Sequence, residues 1–336
     1  MWKKLKMSDP LITSMPKHAN AMSILGEHRY FPEWAFLNHI QLAYVSDDNI
    51  VGWLDFHKPH SRHHYRLATT EYLSRRTALA NRLDIVDFII NAIDHSSYIC
   101  LMLDTYHIRA YKHNYQTHHI FHDMFVYGYD LRNKTFNAAD FFNVNYGKET
   151  VTFEELREAF YSSSPIGDQY DGFTGVQLLR VSDDETYRFD SLYCIERLRD
   201  YAESRKTNDR FRFIEETYDA AFGITAYETQ IGNIGNNAAE SLELNCLKAL
   251  HILYDHKKTM SFGVNYLAQS GRIKDKSLSQ AFSDNEKAAF TSRHHYMKYL
   301  MSRNPEWKHK ALEVHREILA TENELFGLLI SELEKA

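Results

Sequence analysis

The segment from His113 to Phe142, HNYQTHHIFHDMFVYGYDLRNKTFNAADFF, limits what this chain can fold into more than any other. Ile120 to Asp130 reads as a strand with His122, Met124 and Val126 on one face, because strand side chains alternate with a period of two. The polar run Asp130 to Lys134 predicts a turn, and Lys134 to Phe142 a second strand. If the two strands pair as a hairpin, His122 and Asp140, eighteen residues apart, come side by side. A carboxylate beside an imidazole is the base-and-orienter half of a nucleophilic site. The other half, a cysteine or serine at the start of a helix, has few candidates in this chain.

Around the hairpin the apolar periodicity sets out the remaining elements. SYICLMLDTY (Ser97 to Tyr106) predicts a buried strand. Helices are expected from Ala19 to Leu25 behind Pro16, from Pro32 onward, and from Thr70 to Ile93, where Leu79, Leu83, Val86, Ile90 and Ile93 form one stripe. Past residue 148 the pattern turns mainly helical. VTFEELREAFY begins with Thr152 and Glu155 at capping-box spacing, and VQLLRV is a strand candidate. A helix follows YRFD, SLELNCLKALHILYDHK is amphipathic, and Trp307 to Glu334 reads as one long helix. GNIGNN at Gly232 to Asn237 lacks the spacing of a dinucleotide loop and reads as a turn. The expected architecture is α+β: a first domain over residues 1–148 and a mainly helical domain over 149–336.

Composition removes several function classes. With 336 residues and 44% hydrophobic content there is ample material for a core. A net charge of −6 argues against nucleic-acid binding, which needs a concentrated basic surface. No run approaches eighteen apolar residues, so no membrane span is expected, and WKKLK leads into Ser8, Asp9 and Pro10 rather than a signal-peptide core. The three cysteines, Cys100, Cys194 and Cys246, are odd in number and widely spaced, which suits a cytoplasmic location.

The order of a helix near residue 20, a strand ending in Leu103-Asp104, H-x5-G-Y-D at His122 to Asp130 and a strand carrying Asp140 resembles the papain-like proteins of the butirosin H type. These are relatives of the C39 peptidase fold found in antibiotic biosynthesis clusters. LLRV, YRFD, FGITAYE and the helix containing DHKK look like that group's helical portion. The resemblance implies a papain-like, cysteine-protease-type first domain. In that family a cysteine at a helix N-terminus attacks the thioester of an acyl or peptidyl carrier protein, and the acyl group passes to an amine. It implies His122 as general base and Asp140 as its orienter, no cofactor of the protein's own, and phosphopantetheine carried by the partner. The acceptor would be a small-molecule amine.

Ala19, in KHANAMSIL, is the position best matched to the family's cysteine. A helix N-terminus would favour a thiolate there, but alanine has no nucleophile. Ser14 and Ser23 are the nearest hydroxyls. The cysteines present read as small core residues. Two readings therefore stand beside the acyltransferase: a cysteine peptidase or amidase on the same fold, and a non-catalytic acyl-carrier or ligand-binding protein that has lost its nucleophile.

Histidines cluster at His113, His118, His119 and His122, and again at His57, His60, His63 and His64. Neither cluster has a zinc-motif spacing such as HExxH, so no metal is expected, and the second reads as an exposed loop. With Arg62, Arg66, Arg75 and Arg76, the histidines His60, His63 and His64 make a candidate basic patch for an acidic carrier protein.

Overall fold

The computed structural model describes residues 1–47, 51–57, 66–143, 145–163, 175–182, 187–212, 219–237 and 239–335. Chain order begins β1 (Trp2–Lys4), α1 (Pro16–Leu25), α2 (Phe31–Asn38), β2 (Leu42–Val45) and β3 (Trp53–Phe56). There follow β4 (Ala68–Ser74), α3 (Arg75–Ala80), α4 (Ile85–Asp94), β5 (Tyr98–Asp104), β6 (Phe121–Asp130), β7 (Thr135–Asp140), β8 (Gly147–Thr152), α5 (Phe153–Phe160) and β9 (Gly175–Val181). The remainder is α6 (Ser191–Ala202), β10 (Ala221–Phe222), α7 (Gly223–Asn236), α8 (Glu243–Gln269), α9 (Lys276–Ser302) and α10 (Pro305–Glu334). The protein is thus α+β, with antiparallel sheet and many helices.

Two compact units divide the chain, one made of Met1–His28 and Arg62–Tyr187, the other of Arg29–Ser61 and Arg188–Ala336. This corrects the expected boundary at residue 148. The reason is pairing: β9 lies between β4 and β5, so the chain as far as Val181 completes the first unit's sheet. Conversely, β2 pairs with β10 and β3, which commits an early segment to the second unit.

The first unit's sheet runs β4-β9-β5-β6-β7-β8, with β1 also pairing β6, and every pairing is antiparallel. One face carries Ile99, Leu101, Leu103, Met124, Val126 and Phe136 into a core with Ile85, Ile89 and Ile93 of α4 and Leu156 and Phe160 of α5. The opposite positions, such as Cys100 and Phe125, are paired with each other. The expected β6–β7 hairpin is present with Asp130 opposite Thr135. The Asp130 carboxylate accepts from the Arg132 and Asn133 amides at 2.8 and 3.3 Å, and Lys134 takes a φ of 51°. Asp130 therefore builds the turn from its own side chain.

The expected helix from Thr70 to Ile93 is instead β4, α3 and α4. Thr69, Thr70 and Tyr72 favour extended backbone and pair with β9. Ser74 then caps α3 by accepting from the Thr77 amide at 3.1 Å, and Asp84 caps α4 by accepting from Val86 and Asp87 at 3.0 and 3.3 Å. Between them Arg82 sits at a left-handed φ of 50°, which interrupts helix. The capping box at Thr152 and Glu155 is present as expected.

The second unit is mainly helical, with α9 packed against both α8 and α10. GNIGNN is not a turn, because α7 runs through it: Tyr227, Ile231 and Ile234 share a buried stripe that holds the segment helical. Gly263 lets α8 approach α2, since a Cβ there would come within 1.9 Å of the Phe36 ring.

Gly128, the glycine of the H-x5-G-Y-D motif, lies where β1 crosses β6 opposite Lys4, and a bulge shifts register between Val126 and Gly128. A Cβ at Gly128 would sit 2.8 Å from both the Lys3 carbonyl oxygen and Asn137 Oδ1. Backbone on one side cannot move without breaking the β1 pairing. Gly128→Ala is expected to destabilise the protein by about 1–3 kcal/mol, the usual range for overpacking, and to expose the β1 amides. Chemical denaturation and amide exchange measure this; unchanged protection of Lys3 and Lys4 would refute the account.

Candidate functional site

Antiparallel order places the site. β5 and β7 flank β6 and both run against it, so their C-terminal ends lie beside the start of β6. Asp104 ends β5, Asp140 ends β7, and His122 is the second residue of β6. His122 Nδ1 is 2.7 Å from Asp140 Oδ2. The carboxylate is fully buried, whereas the His122 side chain is 35% accessible. Tyr111 donates its hydroxyl to the same Oδ2, and Oδ1 has no hydrogen-bond partner among the described residues. An unpaired carboxylate at this depth would be strongly disfavoured, so the charge depends on these two donors.

Burial by itself would lower the pKa of His122. The Asp140 charge and hydrogen bond, with help from Asp123, outweigh burial and raise it from 6.5 to about 9. The ring is consequently an imidazolium at neutral pH. With Nδ1 engaged by Asp140, Nε2 is the nitrogen left for chemistry. Burial and the neighbouring Asp140 push the Tyr111 hydroxyl well above its ordinary range, so it remains a neutral donor.

Ala19 lies fully buried in the first turn of α1. Having no polar side-chain atom, it makes no link to His122. Its neighbour Asn20 ties the helix to the sheet: Asn20 Nδ2 is 3.9 Å from Cys100 Sγ, and Asn20 Oδ1 accepts from the Tyr146 hydroxyl at 2.8 Å. Cys100 and Tyr146 both feel the Asp140 charge. The connection from α1 to the dyad thus runs through Asn20, Cys100 and Tyr146. Because α1 meets the sheet at Cys100, whereas His122 takes the alternate strand positions with Met124 and Val126, no shared sheet face joins them.

All three cysteines are buried. Desolvation raises the thiol pKa of each, and for Cys100 the charges of Asp123 and Asp140 raise it further. None supplies a ready thiolate.

Of the expected basic patch, three residues are described: Arg66 and Arg76 are exposed and Arg75 is not. Arg75 is buried, with its guanidinium 5.4 Å from the centre of the Phe121 ring and donating to the Ser162 carbonyl. Arg66 lies over Tyr187 at 5.2 Å, and Arg76 is exposed. His60, Arg62, His63 and His64 lie outside the described residues. His57 is buried rather than on an exposed loop; burial, with the Arg197 charge, lowers its pKa to about 4. Among the described residues, Asp104, His107 and His119 bring metal-ligand atoms within 4.8 Å of one another.

Tyr111, Asn20 and Tyr146 carry no motif that marks them in sequence. Tyr111 reads as one core aromatic among many, and its role appears only when the loop after β5 folds back over β7. Comparison with protein-family models gives no match, and comparison with curated proteins gives none.

Asp140→Asn is expected to lower the His122 titration from about 9, since burial is then opposed only by the smaller contributions of Asp123. Imidazole NMR shifts would report it. The folded pKa exceeds the unfolded one, so the dyad's stabilisation is complete below about pH 6.5 and disappears as pH rises through about 9. The stability advantage of the unmodified protein over Asp140→Asn should shrink across that window. A titration midpoint unmoved by the substitution would contradict this assignment.

Proposed function

We propose that the first unit is a papain-like domain of the acyl-transferring type. Its substrate is an acyl group held as a thioester on the phosphopantetheine of an acyl or peptidyl carrier protein, and the acceptor is a small-molecule amine. Position 19 carries alanine where this chemistry uses cysteine. The observation that carries the reading is the 2.7 Å bond between His122 Nδ1 and the buried Asp140 carboxylate.

The charge state of His122 favours a thiolate–imidazolium couple over a resting neutral base. The transfer requires the sulfur of an Ala19→Cys form to come within reach of His122 Nε2, which α1 against the opposite sheet face does not itself provide; with the two brought together, the thiolate attacks the thioester carbonyl carbon. Collapse of the tetrahedral adduct breaks the bond to the phosphopantetheine sulfur, which takes the Nε2 proton of His122. The neutral ring then accepts a proton from the amine as it attacks the acyl-enzyme, and the cysteine sulfur departs as thiolate. Asp140 keeps the ring oriented through both transfers.

A second reading has its own support. With alanine at position 19 and every cysteine buried, the chain as it stands fits a protein that binds an acylated carrier without turnover.

Ala19→Cys incubated with acylated carrier protein is expected to gain the acyl mass in intact-protein spectra. Adding His122→Ala should slow this by about 10²- to 10⁴-fold, the span of a general acid–base group. A folded Ala19→Cys protein that takes no acyl group from several carrier thioesters would sink the transferase reading. If the unmodified chain nonetheless binds acylated carrier, the binding-protein reading stands. Cleavage of free peptides by Ala19→Cys without any carrier would favour a peptidase.

A further inference from the structure

We propose that Asp104, His107 and His119 form a zinc-binding site in the first unit, separate from the His122–Asp140 dyad. It does not rest on the acyl-transfer reading. Asp104 Oδ2 is 2.7 Å from His119 Nδ1 and 3.9 Å from His107 Nε2. Zinc bonds of about 2.0–2.1 Å at tetrahedral angles would set ligand atoms about 3.3 Å apart. The observed separations bracket that value, so small side-chain rotations suffice to close the set around an ion. Two imidazoles and a carboxylate are three protein ligands of the type zinc prefers, the number found where a fourth position is kept for water.

The surroundings hold these ligands as metal sites usually do. His107 Nε2 faces Asp104, and its other nitrogen, Nδ1, is 3.6 Å from Glu158 Oε2. A carboxylate on the far nitrogen orients a ligating imidazole and makes it a better donor. Asp104 is fully buried, its Oδ1 accepts from the Tyr106 amide at 3.1 Å, and Ser162 Oγ donates to Oδ2 at 2.6 Å. The His119 ring stacks on Tyr106, with centroids 4.1 Å apart and planes 15° from parallel. A buried, fixed carboxylate thus lies beneath two imidazoles with side chains 24% and 43% accessible, which gives an ion a route from solvent. By contrast, His118 is exposed and among the described residues bonds locally to Thr117, and His113 is exposed. Neither belongs to the converging set.

The test uses the full chain, stripped with chelator and titrated with zinc against a chromophoric competitor, with metal content measured after gel filtration. One zinc per chain is expected. His107→Ala and His119→Ala should each weaken binding by at least about a hundredfold, and Glu158→Gln by about ten- to a hundredfold, the range for an outer-shell partner. His113→Ala and His118→Ala should leave affinity within about threefold, since they lie outside the set. Because a truncated ring can also loosen the local fold, His107→Asn and His119→Asn, with circular dichroism, accompany the alanine variants. Zinc bound equally well by folded His107 and His119 variants, or absent from the unmodified chain at micromolar zinc, would overturn the site.

Discussion

A single buried carboxylate organises one end of the first unit's sheet. Asp140 has no access to solvent, yet it lies between an imidazole and a phenol that both use the same oxygen. Removing a carboxylate from water is tolerable only with such partners, and a charged partner supplies most of the compensation. The consequence falls on His122, which stays protonated well above the range of a free imidazole. The chemistry open to this site follows from that charge: it can donate a proton, balance an anion, and become a base only after a proton has left.

The same sheet geometry produces a second carboxylate–imidazole pair. β5 and β7 lie on either side of β6 and point the opposite way, so a residue ending either strand falls next to the β6 entrance. Asp140 comes from one side and meets His122; Asp104 comes from the other and meets His119. A loop that holds several histidines immediately before an antiparallel strand is thereby distributed over two acidic partners. His107, from the short helical turn after β5, joins only the Asp104 group.

In the second unit charge is buried without an evident chemical use. Lys257 and Glu322, both almost wholly enclosed, form an ion pair between α8 and α10, and the lysine lies 4.3 Å from the centre of the Tyr227 ring. Desolvation lowers the lysine's pKa, and Glu322 opposes it. Exchanging such a pair for apolar residues is often neutral or stabilising, whereas removing one partner strands the other charge. The pair is therefore weak evidence for net stability, although loss of either partner alone would be costly.

Local sequence determined the elements whose signals are local. The β6–β7 hairpin, its Asp130 turn, the Thr152–Glu155 box and the long C-terminal helix each depend on neighbouring residues, and each is where the pattern puts it. The pairing of His122 with Asp140 was legible for the same reason, since a hairpin joins residues close in sequence. Where local and distant preferences compete, tertiary structure decided. The stripe from Leu79 to Ile93 reads as part of one helix, but β9, a hundred residues away, draws Thr69 to Tyr72 into a sheet. The units are interleaved because strands pair across long stretches of chain, which no composition boundary records. Tyr111 and the Asp104 group were hidden likewise: their partners are brought together by strand order and loop return, and the buried Asp140 charge that holds His122 protonated is in place only once the sheet and its covering helices have closed.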